Sequence, residues 1–178
     1  MEIDVGAGSS SRWYRPEVHR GRRRDALARQ PDPHTGLIRG ATFLDRAEAF
    51  LAQSRRTARE VCLMSILVVD VQQSHGRDVG QQYDAVVAAV AGGLLDVRTG
   101  RDVVGRIGAA EFNWMSVLSR GSDLAWIERE LRTAIDIRLE GLSTRYRLGS
   151  TLSNGRPLTL DKLMAEAHAR RDARVRRP

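Results

Sequence analysis

The sequence predicts a single α/β domain of the α+β kind: a ferredoxin-like βαββαβ core with one further helix at each end. Three observations predict it. The run Val61 to Val71 is mostly apolar and β-branched, the pattern of a central strand buried on both faces. Val103 to Ile107 and Phe112 to Leu118, separated by Gly108-Ala109, read as a hairpin. Apolar stripes at helical spacing separate and flank these runs.

In chain order, residues 1–31 are rich in Gly, Ser, Arg and Pro, with Trp13, Tyr14 and Val18 as isolated apolar residues. They cannot build a core, so a disordered basic tail is expected, followed by one domain over 32–178. A first helix covers about 41–55, where Phe43, Ala47, Phe50 and Leu51 share a face. After the strand Val61 to Val71 and a polar stretch, residues 82–95 are Ala- and Val-rich at helical length, and Gly92-Gly93 weakens the end of that helix. The hairpin comes next. Ser122 can cap the following helix, whose Leu124, Ile127, Leu131 and Ile135 form a core-facing stripe. Thr144 to Leu152 is the last strand, ended by an Asn154-Gly155 turn. The final helix starts near Thr159 and buries Leu160, Leu163, Met164 and Ala167. In this topology the first two core strands run parallel with the third between them, so Asp70 should lie beside the hairpin tip, Gly108 to Glu111.

Composition narrows the function classes. The chain has 178 residues, 42% hydrophobic, enough for one domain with a real core. Its net charge of +7 sits at the ends: residues 1–31 hold seven arginines against four acids, 168–178 hold five against one, and 32–167 balance. A neutral body with basic arms is not a DNA-reading face. No apolar run is long enough to span a bilayer and the N-terminus lacks a secretory pattern, so a cytoplasmic location is expected. Cys62 is the only cysteine, sits in an apolar run and reads as core. His19, His34, His75 and His168 show no metal-ligand spacing and read as surface residues.

Two motifs point to a family. Asp32-Pro33-His34-Thr35-Gly36-Leu37, followed by Arg39, resembles the Asp-x-Leu-Thr-Gly-Leu-x-Asn-Arg opening motif of GGDEF (diguanylate cyclase) domains, with His34 in place of the first leucine. The stretch from Asp102 through Arg106 to Gly108-Ala109-Ala110-Glu111-Phe112 resembles their Asp-x-x-x-Arg-x-Gly-Gly-Asp-Glu-Phe signature. With the strand ending in Asp70, the similarity covers 32–178 and implies a fold of nucleotide-cyclase type.

The resemblance also implies a chemistry. Family members hold GTP with two divalent ions between carboxylates, and two domains join two GTP molecules into cyclic di-GMP. The ions neutralise the triphosphate and help deprotonate the attacking hydroxyl. Asp70 matches the metal aspartate of the first strand. The third signature position, the second metal carboxylate, is Ala110, whose methyl cannot ligate a hard cation. Ala109 replaces the second glycine, where a positive φ and a close approach to phosphate would tell against a side chain. Glu111 keeps the fourth position.

Other family positions are also altered. The segment that would supply the guanine-reading Asn is shortened before Gly76 to Gly80, and Gln81 stands for the pocket's Asp. The upstream Arg-x-x-Asp feedback site has Thr99 where arginine belongs, with Arg98 and Arg101 beside it, so cyclic di-GMP binding there is not indicated. On the terminal helix Ala167-His168 replaces Ala-Asp, and Val175 falls near the phosphate-binding lysine, flanked by Arg174 and Arg176.

The sequence is thus read as a degenerate GGDEF-like domain, a regulatory or protein-interaction pseudoenzyme, with no intact catalytic residue and no nucleotide-binding set. Two alternatives stay open: a weak or altered cyclase using Asp70 and Glu111, and an arginine-rich module binding nucleic acid or an acidic surface. No resident cofactor is expected, Mg²⁺ entering only with residual nucleotide binding. The expected partner is a protein, such as another GGDEF protein, a phosphodiesterase or a transcription regulator. A homodimer is also open, and nucleic acid ranks lower. Trp13, Tyr14, Arg22, Arg23 and Arg24 are the candidate partner-binding residues, being of types that concentrate at binding hot spots.

Overall fold

The computed structural model describes residues 31–72, 78–118 and 123–173. The elements are β1 (Ile38–Arg39), α1 (Gly40–Arg56), β2 (Val61–Val71), α2 (Val79–Val97), β3 (Val103–Arg106), β4 (Glu111–Val117), α3 (Leu124–Arg138), β5 (Thr144–Leu152) and α4 (Leu160–Ala173). They build one five-stranded sheet in the order β1-β3-β4-β2-β5. β4 is antiparallel to β2 and β3, and β2 is antiparallel to β5. Strands β2 to β5 are therefore the expected ferredoxin-like arrangement.

The alternation of β2 explains the layering. Cys62, Met64, Ile66 and Val68 enter a core with Val86, Val90 and Leu94 of α2 and Leu131 and Ile135 of α3. Val61 and Leu63 face the other way, into a second core with Phe43, Ala47 and Leu51 of α1 and Leu160, Leu163 and Ala167 of α4. A strand with apolar side chains on both faces is stable only at the centre of a covered sheet, which is where β2 lies. Cys62 is fully buried, and burial pushes its thiol pKa up to about 12, so it behaves as a core residue.

Several boundaries differ from the sequence reading, each for a physical reason. Ile38 and Arg39 add a two-residue strand parallel to β3, paired with Gly105 and Arg106. So short a strand leaves no periodicity to detect. Helix α2 extends to Val97 through Gly92-Gly93. A Cβ on Gly93 would stand 2.7 Å from Ile135 Cα, so this glycine lets α2 press against α3 and does not end the helix. The side chain of Asp123 accepts from Ala125 N–H at the start of α3, whereas the expected cap, Ser122, lies outside the described residues. Thr159 Oγ1 accepts from Lys162 N–H at the start of α4, as its position suggested. Among the described residues, no helix is long and apolar enough to cross a membrane.

Candidate functional site

The end of β2 and the β3–β4 hairpin converge as the topology requires. Leu67 is opposite Glu111, and Val68 N–H donates to the Ala110 carbonyl at 3.0 Å. Asp70 lies just beyond that bond. Asp70 is three positions on from Leu67, which in a regular strand would place their side chains on opposite faces. The register on β5 runs from Val68↔Tyr146 to Asp70↔Arg145, so Val69 is the extra residue of a β-bulge. Arg145 and Arg147 are two apart on β5, and Arg147 is opposite Leu67. The bulge therefore returns Asp70 to the face that carries Glu111, the face covered by α4.

On that face Glu111 is already engaged. Arg171, from the last turns of α4 and only 7% exposed, donates to Glu111 Oε1, to Ser65 Oγ at 2.9 Å and to Asp172 Oδ1 at 3.0 Å. Burial disfavours the charged form of Arg171, but the hydrogen bonds from its guanidinium to Asp172 and Glu111 outweigh that and hold its pKa above the usual value. His168 Nε2 lies 3.3 Å from Glu111 Oε1 without hydrogen-bond geometry. Asn113, two residues along β4 and opposite Ser65, is fully buried, with neither amide atom hydrogen-bonded among the described residues. Arg171 and Ser65 were not legible as site residues, and His168, read as a surface histidine, is half-buried beside the signature glutamate.

The other signature positions have ordinary structural roles. Asp70 pairs with Arg145 at 2.8 Å, and that arginine is 75% exposed. Ala110 packs against the core on the α2–α3 side, away from Glu111. Among described non-glycine residues only Ala58 and Asn154 have positive φ, so Ala109 turns the hairpin without the strain expected of a side chain there. Phe112 is fully buried, opposite Ile66. Two carboxylates already answered by arginines, with a methyl group in place of a third, are a poor donor set for a hard divalent ion such as Mg²⁺. Among the described residues no group of three His, Cys, Asp or Glu side chains is placed to hold a metal.

The two sequence motifs meet physically. Asp32 Oδ1 accepts from Thr35 N–H at 3.0 Å, from Thr35 Oγ1 at 2.8 Å and from Arg106 Nη1 at 3.2 Å. Arg106 also donates to the carbonyls of Gly108 and Ala109, so the signature arginine clamps the hairpin turn onto the opening loop. Gly36, with φ +69°, closes that loop in a conformation that favours glycine. Burial alone would raise the Asp32 pKa, but the bonds from Thr35 and the Arg106 charge outweigh it and hold the carboxyl below its usual 3.8. A folded-state pKa below the unfolded one contributes stability above the unfolded value, and this is lost as pH falls through the folded one. Asp32→Asn should therefore lower stability at neutral pH by about 1 kcal/mol and shrink the loss of stability below about pH 4. Urea unfolding at pH 7 and pH 3 measures both effects.

The remaining expected positions are dispersed. Asp102, at the other end of β3, accepts from Thr99 N–H at 2.7 Å and holds the turn before that strand. Gln81 is exposed on the first turn of α2. Trp13, Tyr14, Arg22, Arg23, Arg24, His75, Gly76, Arg174, Val175 and Arg176 lie outside the described residues.

No protein-family model matches this chain, and no curated protein does. Solved structures do. A sensory box/GGDEF family protein from Caulobacter crescentus matches at TM-score 0.64 and 21% identity, over 81% of this chain and 96% of that one. The coiled coil and GGDEF domain of DgcB from the same organism, solved in complex with c-di-GMP, matches at TM-score 0.71 and 17% identity, over 89% and 88% of the two chains. The diguanylate cyclase SiaD of Pseudomonas aeruginosa, solved with its activator SiaC, matches at TM-score 0.65 and 22% identity, over 88% of this chain and 64% of that one. These likenesses establish the fold: the chain is built as GGDEF domains are.

Proposed function

From that fold, we propose that this chain is a diguanylate cyclase-like domain that does not cyclise GTP and acts in cyclic di-GMP signalling as a regulatory, protein-contacting domain. The observation that carries this reading is the state of Glu111, the carboxylate kept at the hairpin of the signature, which is bonded to a buried arginine of α4. Releasing it toward a metal would leave Arg171 buried and short of an acceptor, a cost of several kcal/mol. Asp70 is answered by Arg145, and Ala110 offers no ligand. Retained packing supports use of the surface. The two cores are filled while the metal and base positions are altered, and unselected drift would erode both, since most substitutions destabilise. A neighbour of the same fold was solved with its activator protein, which makes a protein partner a natural reading here as well.

The test is incubation of the purified protein with GTP and Mg²⁺, with chromatography of the products. No cyclic di-GMP above a protein-free control is expected, and calorimetric titration with GTP should show no binding heat. Product formation that Asp70→Ala abolishes would overturn the reading and make the chain a working cyclase. Pull-down from the native cell should recover a protein partner that survives nuclease treatment. Recovery of nucleic acid alone would replace this reading with an electrostatic binding module.

A further inference from the structure

At the end of the sheet away from the signature hairpin, a cavity of about 1330 Å³ opens between the loop after α1, the turn before β3, the end of β4 and the first turns of α3. The segments that wall it are tied in place. Leu118 N–H donates to the Glu60 carbonyl, which fixes the end of β4 against the start of β2. Asp102 N–H donates to the Thr99 carbonyl and Thr99 N–H donates to Asp102 Oδ2, which closes the turn before β3. Trp126 and Glu130, one helical turn apart on α3, complete the wall.

Charge on this wall is graded by depth. Glu60 and Asp102 are half-buried, whereas Arg59 and Arg101 are exposed. Asp96 also lines the cavity and is answered by Arg138 at 2.7 Å, but among the described residues Glu60, Asp102 and Glu130 form no ion pair. Charges set back from water are screened less than exposed ones, so the interior of the cavity favours a cation. A second observation points to a polar ligand. Trp114, only 4% exposed, lines the cavity, and its indole Nε1 has no hydrogen-bond partner among the described residues; nor has Asp102 Oδ1. Buried donors and acceptors are nearly always satisfied in native proteins, and here one of each is left over at a single cavity. Trp126, 53% exposed, adds an open aromatic face at the rim.

We infer that this cavity binds a small guanidinium compound of the class of arginine. The guanidinium enters among Glu60, Asp102 and Glu130 with its plane on Trp126, and water held beside it answers the Trp114 N–H. A guanidinium suits these walls better than an ammonium, because it is planar and weakly hydrated, stacks on an indole and presents a fork of donors to carboxylates. An anionic ligand, cyclic di-GMP included, would meet two half-buried carboxylates and gain only exposed guanidiniums. The inference is independent of how the nucleotide site is read.

Calorimetric titration of the full chain with L-arginine tests it, beside citrulline, its uncharged isostere. Arginine should bind with a Kd below about 1 mM and citrulline at least about tenfold more weakly. Glu60→Gln combined with Glu130→Gln, and separately Trp126→Ala, should each weaken arginine binding about tenfold. In nuclear magnetic resonance spectra arginine should shift the indole N–H signals of Trp114 and Trp126 and the amides of 99–102. These substitutions lie outside the two cores, and an unchanged urea midpoint checks the fold. No arginine binding up to about 10 mM, or citrulline binding as tightly as arginine, would overturn the inference. Shifts confined to other residues, or variants that bind arginine as the parent does, would overturn it as well.

Discussion

Gly149→Ala is expected to destabilise the protein by about 3–5 kcal/mol, the range of severe overpacking. A Cβ at this position would stand 2.2 Å from Arg171 N, 2.3 Å from Ala167 O and 2.6 Å from Arg171 Cα. All three are backbone atoms of α4, so no side-chain rotation can relieve the clash. The helix would have to lift from β5, drawing Leu163 and Ala167 out of their core and Arg171 away from Ser65 and Glu111. Gly100→Ala is the control, because nothing lies within 4 Å of its Cβ position. It should change stability by less than about 0.5 kcal/mol. Urea unfolding of both variants decides the matter: a Gly149→Ala protein within about 1 kcal/mol of the parent would mean that α4 does not lie on β5 as described.

The same close approach shows what a sequence conceals. Nothing in the strand Thr144 to Leu152 marks Gly149 as a contact point, and Gly92-Gly93 reads as a weakening of a helix end, because propensity registers the missing side chain and not the neighbour that requires it. Patterns that repeat were legible. The stripes of α1, α3 and α4 and the two-sided run of β2 appear in the cores where their spacing placed them, since burial of one face is what spacing encodes. β1, with two residues, was not legible, for its pairing with β3 depends on the fold already being closed.

The candidate site divides along the same line. That Asp70 and Glu111 approach one another followed from topology. That they share a face depends on the bulge at Val69, a local irregularity with no mark in the composition. The opening motif and the signature read as separate motifs, and their joining through Asp32 and Arg106 became visible only in three dimensions. Arg171 was hidden most thoroughly. It lies in an arginine-rich terminus, where each guanidinium looks like part of a solvated arm, yet among the described residues it is the arginine of that terminus that the geometry of α4 turns under the sheet.

That burial carries the final prediction. Arg171→Met is expected to cost about 3 kcal/mol, because it leaves the half-buried Glu111 and the fully buried Ser65 without their shared donor. Methionine keeps the length and apolar volume of the arginine stem, so the loss reads the charge and hydrogen bonds more than the packing. Glu111→Gln should cost less, since the amide oxygen can still accept from Arg171 and Asp172 remains its partner. Combined, the two changes should cost at least about 1 kcal/mol less than their sum, because the double variant has no unpaired carboxylate left to desolvate. Asp70→Asn is the contrast. Its partner Arg145 is largely in water, so stability should hardly move and what change there is should vanish in salt. Urea unfolding of all four variants at low and high salt gives the complete comparison. Additive losses at Arg171 and Glu111, or an Arg171→Met protein as stable as the parent, would mean that the signature glutamate is free. A free Glu111 would be available to a metal ion, and the case against catalysis would lose its main support.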